Sequence, residues 1–170
     1  NLIALDPATG LLRAEAGVTL DQLLAVTVPR GWFTATTPGT RFVTLGGAVA
    51  NDVHGKNHHR AGTFGSSVRR IGLFRSDRGA VELAPDLEPA LFAATIGGLG
   101  MTGAIAWVEI QLSGIASSDM MQEAVAYPDL DGFFGFSGSL TPERVMRSMS
   151  EAFVLPRSAS FLTEIGRAHV

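Results

Sequence analysis

Three of the four histidines fall within one short polar stretch, Asp52-Val-His-Gly-Lys-Asn-His-His59. Two adjacent glycines, Gly46 and Gly47, stand just before this stretch and open a run of small apolar residues that could form a short helix. Backbone N–H groups at a helix N-terminus donate to anions and polar ligands, and glycine lets a ligand come close to the backbone. The pattern therefore indicates a site for a phosphate or for a flat, electron-poor ring.

Other interpretations of these residues stay open. The paired glycines could let a helix pack closely on a strand, and the histidines could be ordinary surface residues. A zinc site is a further possibility, because His54 and His58 are four residues apart. However, Gly55 and Asn57 disfavour a helix there, and no glutamate lies between the two histidines. A metal-binding or purely structural α+β module is thus the alternative from a different functional class.

The composition excludes several classes of protein. The chain has 170 residues, of which 46% are hydrophobic and 17% charged, so it is not globally disordered. Its net charge of −3 gives no basic surface that would favour nucleic acid. Its apolar runs fall short of the roughly 18 to 20 residues that a transmembrane helix needs. With no cysteine, disulfides and thiolate metal sites are excluded, whereas the 20 glycines exceed the usual share of about 7%.

The pattern of short strands, hairpins and helices predicts an α+β fold. In chain order, the predicted elements are strands over 2–5 and 11–16, a helix over 20–28 that begins with a Thr19–Gln22 capping box, a strand over 32–36, a helix over 46–51, strands over 68–75 and 80–83, a helix over 88–95 capped by Asp86, and a strand over 104–112. Residues 52–66 are predicted to be a loop. Beyond residue 112, a further element is expected over 115–125, with helices over 129–136 and 143–153.

Further motifs accompany the histidine stretch. They are Thr37-Pro-Gly-Thr40, Val43-Thr-Leu-Gly-Gly47, Arg60-Ala-Gly-Thr-Phe-Gly65 and Ala94-Thr-Ile-Gly-Gly-Leu-Gly-Met-Thr-Gly103. Together with the histidine stretch they resemble the FAD-linked oxidases of the vanillyl-alcohol oxidase type. Within that superfamily they are similar to the decaprenylphosphoryl-ribose oxidase group, the flavin subunit of a two-step epimerase. The resemblance covers about residues 2–112.

The resemblance implies the second half of a two-part PCMH-type FAD-binding domain, with a mixed or antiparallel sheet and flanking helices. On this interpretation residues 1–113 are the C-terminal part of that domain, and the half that carries the phosphate loop is missing. Residues 114–163 would then begin a substrate-capping domain, although 137–163 depart from the family's pattern. Residues 164–170 resemble the translation of a common sequencing adapter, and we expect them to be an artefact.

The cofactor that the resemblance implies is FAD, held non-covalently. The residues expected to line it are Gly39, Thr40, Thr44, Leu45, Gly46, Gly47, Asn51, Asp52, Val53, His54, Gly55 and Ile105. Among them, His54 is expected at the isoalloxazine ring. Lys56 is expected to face the substrate, and its interpretation as a solvated loop lysine stays open.

The reaction that the resemblance implies is oxidation of a secondary hydroxyl of a sugar by hydride transfer to flavin N5. A lipid-linked sugar is the expected substrate class, and a short-chain reductase is the expected partner. A D-arabinono-1,4-lactone or alditol oxidase that uses oxygen is the alternative among enzymes. The expected location is the cytoplasm, periplasm or membrane surface of a bacterium. Without the phosphate-loop half, we expect residues 1–170 to hold FAD weakly and to be inactive alone.

Overall fold

The structure is a computed structural model that describes residues 2–118, 120–127, 129, 131, 148–153 and 161–168. The strands are β1 (Leu2–Leu5), β2 (Leu11–Glu15), β3 (Trp32–Thr34), β4 (Val68–Arg75), β5 (Gly79–Leu83), β6 (Ala104–Gly114), β7 (Met120–Tyr127), β8 (Ser148–Phe153) and β9 (Phe161–Ala168). The α-helices are α1 (Leu20–Thr27), α2 (Leu45–Ala50), α3 (His58–Ala61) and α4 (Pro89–Thr95). Within these described parts, no helix is long and apolar enough to cross a membrane.

The main sheet is antiparallel and is organised around β6. Its order is β1-β2-β6-β4-β5, and β3 pairs with the far end of β6. Side chains alternate between the two faces of a strand, so that every second residue of β2 and β6 is buried. The helices α1 and α2 cover the buried face, where one hydrophobic core is formed. The predicted α+β fold with an antiparallel sheet and flanking helices is therefore confirmed.

Ile105 reaches the core face of the sheet because the register between β4 and β6 shifts. Gly72 pairs with Trp107 and the next residue, Leu73, pairs with Ile105, so Ala106 is left over as a bulge. The shift puts Ile105 beside the buried Leu73, and its half-buried side chain packs against the core. The carbonyl of Ala106 accepts the N–H of Ala16, which lies just beyond β2.

Predictions of one helix cap and two hairpins, which rest on residues close together in the chain, are confirmed. The Thr19 side chain accepts the N–H of Gln22, and the Gln22 side chain accepts the N–H of Thr19, which completes the predicted capping box of α1. The first hairpin and the β4–β5 hairpin also form as predicted.

Asp86 is not the cap of α4, so this prediction is wrong. Ala84 and Leu87 exchange two backbone hydrogen bonds of 2.8 and 3.0 Å, and these hold Asp86 in the turn between them. The N-cap position falls instead on Glu88, which has φ +57° and makes no side-chain capping bond.

Two other predictions of secondary structure need correction. Residues 52–66 are not a simple loop, because they contain the one-turn helix α3 and the start of a 3-10 turn over Phe64–Ser67. The helix predicted over 143–153 is wrong over Ser148–Phe153, which is strand β8. It pairs with β9, and β9 pairs with β7, so these strands form a second antiparallel sheet. The helix predicted over 129–136 lies mostly outside the described residues.

Candidate functional site

The start of α2 is closed by hydrogen bonds within the protein. The N–H groups of Leu45, Gly46 and Gly47 donate to the Val18 carbonyl, the Ala16 carbonyl and the Thr44 hydroxyl, at 2.7, 2.8 and 3.1 Å. Thr44 is thus the N-cap of a helix whose first three donors already have acceptors. This contradicts the expectation that these N–H groups receive an anion. Contact between other atoms of α2 and a cofactor stays a prediction.

The glycine pair serves close packing of α2 on the end of β2. A Cβ on Gly46 would lie 2.8 Å from the Cβ of Ala16, closer than real Cβ contacts come. One on Gly47 would lie 2.9 Å from the Thr44 hydroxyl oxygen. Gly46 and the neighbouring Leu45 are buried, so the packing interpretation is confirmed for Gly46.

Several of the residues expected at the cofactor are accessible. The exposed ones are Gly39, Thr40, Thr44, Asn51 and His54, with Lys56 beside them. Nothing lies within 4 Å of the place that a Cβ on Gly39 would take, so a ligand could lie directly against the backbone there. Hydroxyl, amide and imidazole groups suit the polar edges of a flavin nucleotide. The exposed residues therefore fit such a group. Leu45, Gly46 and Gly55 are buried and belong to the packed protein next to them.

The histidine stretch forms a closed loop, residues 53–64, which we call the His loop. At its base, the Phe64 N–H donates to the Val53 carbonyl at 2.9 Å. Farther out, the Asn57 side chain donates to the Ala35 carbonyl at 2.9 Å, and the Thr36 hydroxyl donates to the Gly62 carbonyl at 3.1 Å. The loop is therefore tied at both sides to the segment that follows β3.

Gly55 packs closely against the backbone of another segment. A Cβ there would lie 2.7 Å from the Thr37 carbonyl oxygen and 2.8 Å from Asn57 Oδ1. Gly55 is buried, whereas its neighbours His54 and Lys56 are exposed. His54 and Lys56, the two side chains expected to contact flavin and substrate, thus flank Gly55, whose backbone packs closely against Thr37.

Two histidines of the loop, His54 and His58, are in contact through their rings. The His54 and His58 rings meet edge to face with their centroids 5.3 Å apart, and His58 Nδ1 lies 2.9 Å from the Gly55 carbonyl oxygen. Within the described part of the chain, no group of three His, Cys, Asp or Glu residues is placed to hold a metal ion.

A second glycine loop, residues 97–103, docks against the C-terminal end of α2. The Gly97 N–H donates to the Val49 carbonyl at 3.0 Å, and the Leu99 N–H donates to the Ala50 carbonyl at 2.8 Å. These bonds satisfy carbonyls that a helix end leaves free. The expected contact of Ile105, two residues beyond this loop, with the cofactor stays a prediction.

Arg75 holds the far end of the glycine loop. Its Nη1 donates to the Thr102 carbonyl at 2.9 Å, and its Nε lies 2.9 Å from Asp77. The hydrogen bond from the Arg75 side chain holds the pKa of Asp77 below its ordinary value. A cavity of about 390 Å³ lies between these residues and Gly100–Gly103.

Two contributions to the site could not be recognised from sequence. Asn57 ties the His loop to Ala35, and the carboxylate of Asp52 binds the N–H of Gly65. Both bonds join residues far apart in the chain, so local patterns carry no signal for them. The residue type of Asp52 gives one indication of its backbone, because Asp and Asn tolerate the left-handed conformation.

Comparisons with known proteins identify related sequences. A family model described as "FAD binding domain" matches residues 1–84. The decaprenylphosphoryl-beta-D-ribose oxidase of Mycolicibacterium smegmatis is 38% identical over 134 residues, which are 78% of this chain and 29% of that protein. An uncharacterized protein in the mprA 5' region of Streptomyces coelicolor is 41% identical over 114 residues, which are 67% of this chain and 30% of that protein.

The chain thus spans 29% and 30% of the lengths of these two curated relatives. Within that span, the matched region contains the Gly39–Thr44 segment, α2 and the whole His loop. The chain therefore belongs to the family of FAD binding domains, and FAD is its cofactor.

Proposed function

We propose that this chain is part of an enzyme that oxidises a secondary hydroxyl of a sugar, with a lipid-linked ribose as the substrate class. The observation that carries the proposal is the 38% identity, over 78% of the chain, to a decaprenylphosphoryl-beta-D-ribose oxidase. FAD, when bound, supplies the acceptor of the hydride at N5 of its flavin. In this proposal the cofactor is held without a covalent bond, and a short-chain reductase acts on the product.

The exposed side chains of the His loop support the proposal. His54 and Lys56 project from a loop that is tied at its base, at Asn57 and at Gly62, so their backbone positions are fixed before any ligand arrives. A preorganised donor is more effective than one that must be ordered during the reaction. We assign His54 to the flavin ring and Lys56 to the hydroxyl or phosphate groups of the substrate.

The His54 assignment predicts a change in flavin binding. In the FAD-loaded protein, His54→Ala should raise the dissociation constant of FAD by about three- to tenfold, the cost of losing one contact of roughly 1 kcal/mol. The absorption spectrum of the bound flavin should shift as well. Titration with FAD, followed by fluorescence, measures the first effect. Arg78→Ala, on the exposed β4–β5 turn, is the matched control and should leave both quantities unchanged. An unaltered spectrum and affinity in His54→Ala would remove His54 from the flavin site.

The function itself is tested by anaerobic reduction. Mixing a polyprenylphosphoryl-ribose with the FAD-loaded enzyme of which this chain is part should bleach the absorption of the oxidised flavin in a single turnover. Lys56→Ala should raise the substrate concentration needed for half-maximal bleaching by about tenfold, because it removes a charged contact. Bleaching by sugar lactones or alditols, and none by the ribose compound, would overturn the assignment of the substrate.

A further inference from the structure

Asp52 occupies an unusual backbone position directly after α2. Its φ is +42°, which is outside the range that most residues adopt. Among residues with a side chain, Asp and Asn tolerate such a positive φ best. Its N–H donates to the Val49 carbonyl at 3.0 Å, and the following N–H, of Val53, donates to the Ala48 carbonyl at 3.0 Å. The chain is therefore turned sharply at Asp52, out of α2 and into the His loop.

The carboxylate of Asp52 reaches the other end of that loop. Its Oδ1 accepts the N–H of Gly65 at 2.8 Å in a partly buried setting. A carboxylate that accepts a backbone N–H makes one of the stronger hydrogen bonds in proteins. A Cβ on Gly65 would lie 2.8 Å from this oxygen and would also clash with Ile96, so glycine is required opposite Asp52.

A third segment meets at the same residue. A Cβ on Gly97 would lie 3.4 Å from the Cβ of Asp52, which is ordinary van der Waals contact. The N–H of Gly97 also donates to the Val49 carbonyl, which accepts the N–H of Asp52 as well. Asp52 thus stands where the end of α2, the His loop and the second glycine loop come together.

We infer that Asp52 is a positioning residue, whose carboxylate fixes the His loop by holding Gly65 and thereby sets the places of His54 and Lys56. Asp52 is among the residues expected to line the cofactor, whereas its side-chain hydrogen bond goes to the protein backbone. The catalytic meaning of this inference rests on the proposed function, but the mechanical part does not. It requires only that the loop opens more often when the bond is lost.

Three variants separate the side-chain bond from the backbone turn. Asp52→Asn keeps an oxygen acceptor and the tolerance for positive φ. Asp52→Ala loses the bond and adds backbone strain, while Asp52→Gly loses the bond and relieves the strain. The exposed Lys56 supplies the readout, because trypsin cleaves after lysine when a loop opens locally. Cleavage after Arg78, on the exposed β4–β5 turn, reports opening elsewhere in the same molecule.

The inference predicts selective cleavage at Lys56. Followed by mass spectrometry, the rate after Lys56 should rise about tenfold in Asp52→Ala and Asp52→Gly, and by less than about threefold in Asp52→Asn. The rate after Arg78 should stay constant. In the FAD-loaded protein, the dissociation constant of FAD should rise in the same order, and Asp52→Asn should restore the flavin spectrum.

Several results would overturn the inference. Unchanged cleavage after Lys56 in Asp52→Gly would show that the bond does not hold the loop. A rate in Asp52→Asn equal to that in Asp52→Ala would show that Asp52 acts through its charge instead. Equal rises in cleavage after Lys56 and after Arg78 in Asp52→Ala would mean that this variant unfolds globally. Asp52→Gly then tests the inference, because a rise in cleavage after Lys56 alone supports it and the absence of that rise contradicts it. Selective cleavage in a protein that fails to oxidise any sugar would refute the proposed substrate and leave the positioning role intact.

Discussion

Replacing Phe64 with alanine is expected to lower the free energy of unfolding by about 3–5 kcal/mol, the usual cost of removing a buried phenyl ring. Phe64 is completely buried, and among the residues whose burial the structure describes it is the largest of the fully buried side chains. It also closes the base of the His loop through its N–H bond to the Val53 carbonyl. Its loss therefore leaves a cavity in the core at the residue that closes the His loop. Urea denaturation followed by circular dichroism measures the change.

Phe74→Ala is the matched control for this prediction. The same atoms are removed, but Phe74 is 57% exposed on β4, so the expected change is below about 1 kcal/mol. Equal losses in the two variants would mean that Phe64 is not part of a close-packed core. Because Phe64 closes the base of the His loop, Phe64→Ala should also weaken FAD binding, whereas Phe74→Ala should not.

Gly55→Ala is expected to displace the His loop. Its Cβ would be forced to within 2.7 Å of the Thr37 carbonyl oxygen, a backbone atom that cannot move cheaply, and to within 2.8 Å of Asn57 Oδ1. Overpacking of this kind costs about 1–3 kcal/mol. Part of that strain should be relieved by moving His54 and Lys56, so we expect FAD affinity to fall by about tenfold or more. Equilibrium titration with FAD, together with thermal unfolding, separates the two effects.

Gly39→Ala provides the comparison for Gly55→Ala. Gly39 is exposed, and nothing lies within 4 Å of the place its Cβ would take, so folding should be unaffected. If FAD lies against this backbone as proposed, the added methyl group should still weaken FAD binding, without loss of stability. A Gly55→Ala protein with normal stability and normal FAD affinity would contradict the tight packing described at Gly55.

Sequence reasoning succeeded where an element is specified by residues close together. The capping box of α1 needs only Thr19 and Gln22, and the structure contains both of its hydrogen bonds. It failed at Asp86 because the cap of α4 depends on a local backbone bridge between Ala84 and Leu87, for which the residue types give no signal. The local pattern of Ser148–Phe153 predicts a helix, but its pairing with β9, a later part of the chain, outweighs that pattern and gives a strand.

The candidate site shows the same division. The histidine stretch and the Gly46–Gly47 pair could be identified from sequence, and both lie within the residues that the family model matches. What each glycine does could not be predicted, because ligand approach and close packing require the same residue. The structure assigns Gly46 to packing on Ala16 and leaves open space at Gly39, and this difference depends on contacts between distant segments.

The central place of β6 has a consequence for how the chain folds during synthesis. Leu12 on β2 pairs with Ile110, and Thr34 on β3 pairs with Leu112, so early strands find their partner only after residues 104–114 have been made. Pairings so distant in sequence are slow to form, and strands that wait for them expose unpaired edges to other chains. We therefore expect shortened forms that end before β6 to aggregate, and the nascent protein to depend on chaperones until β6 emerges from the ribosome.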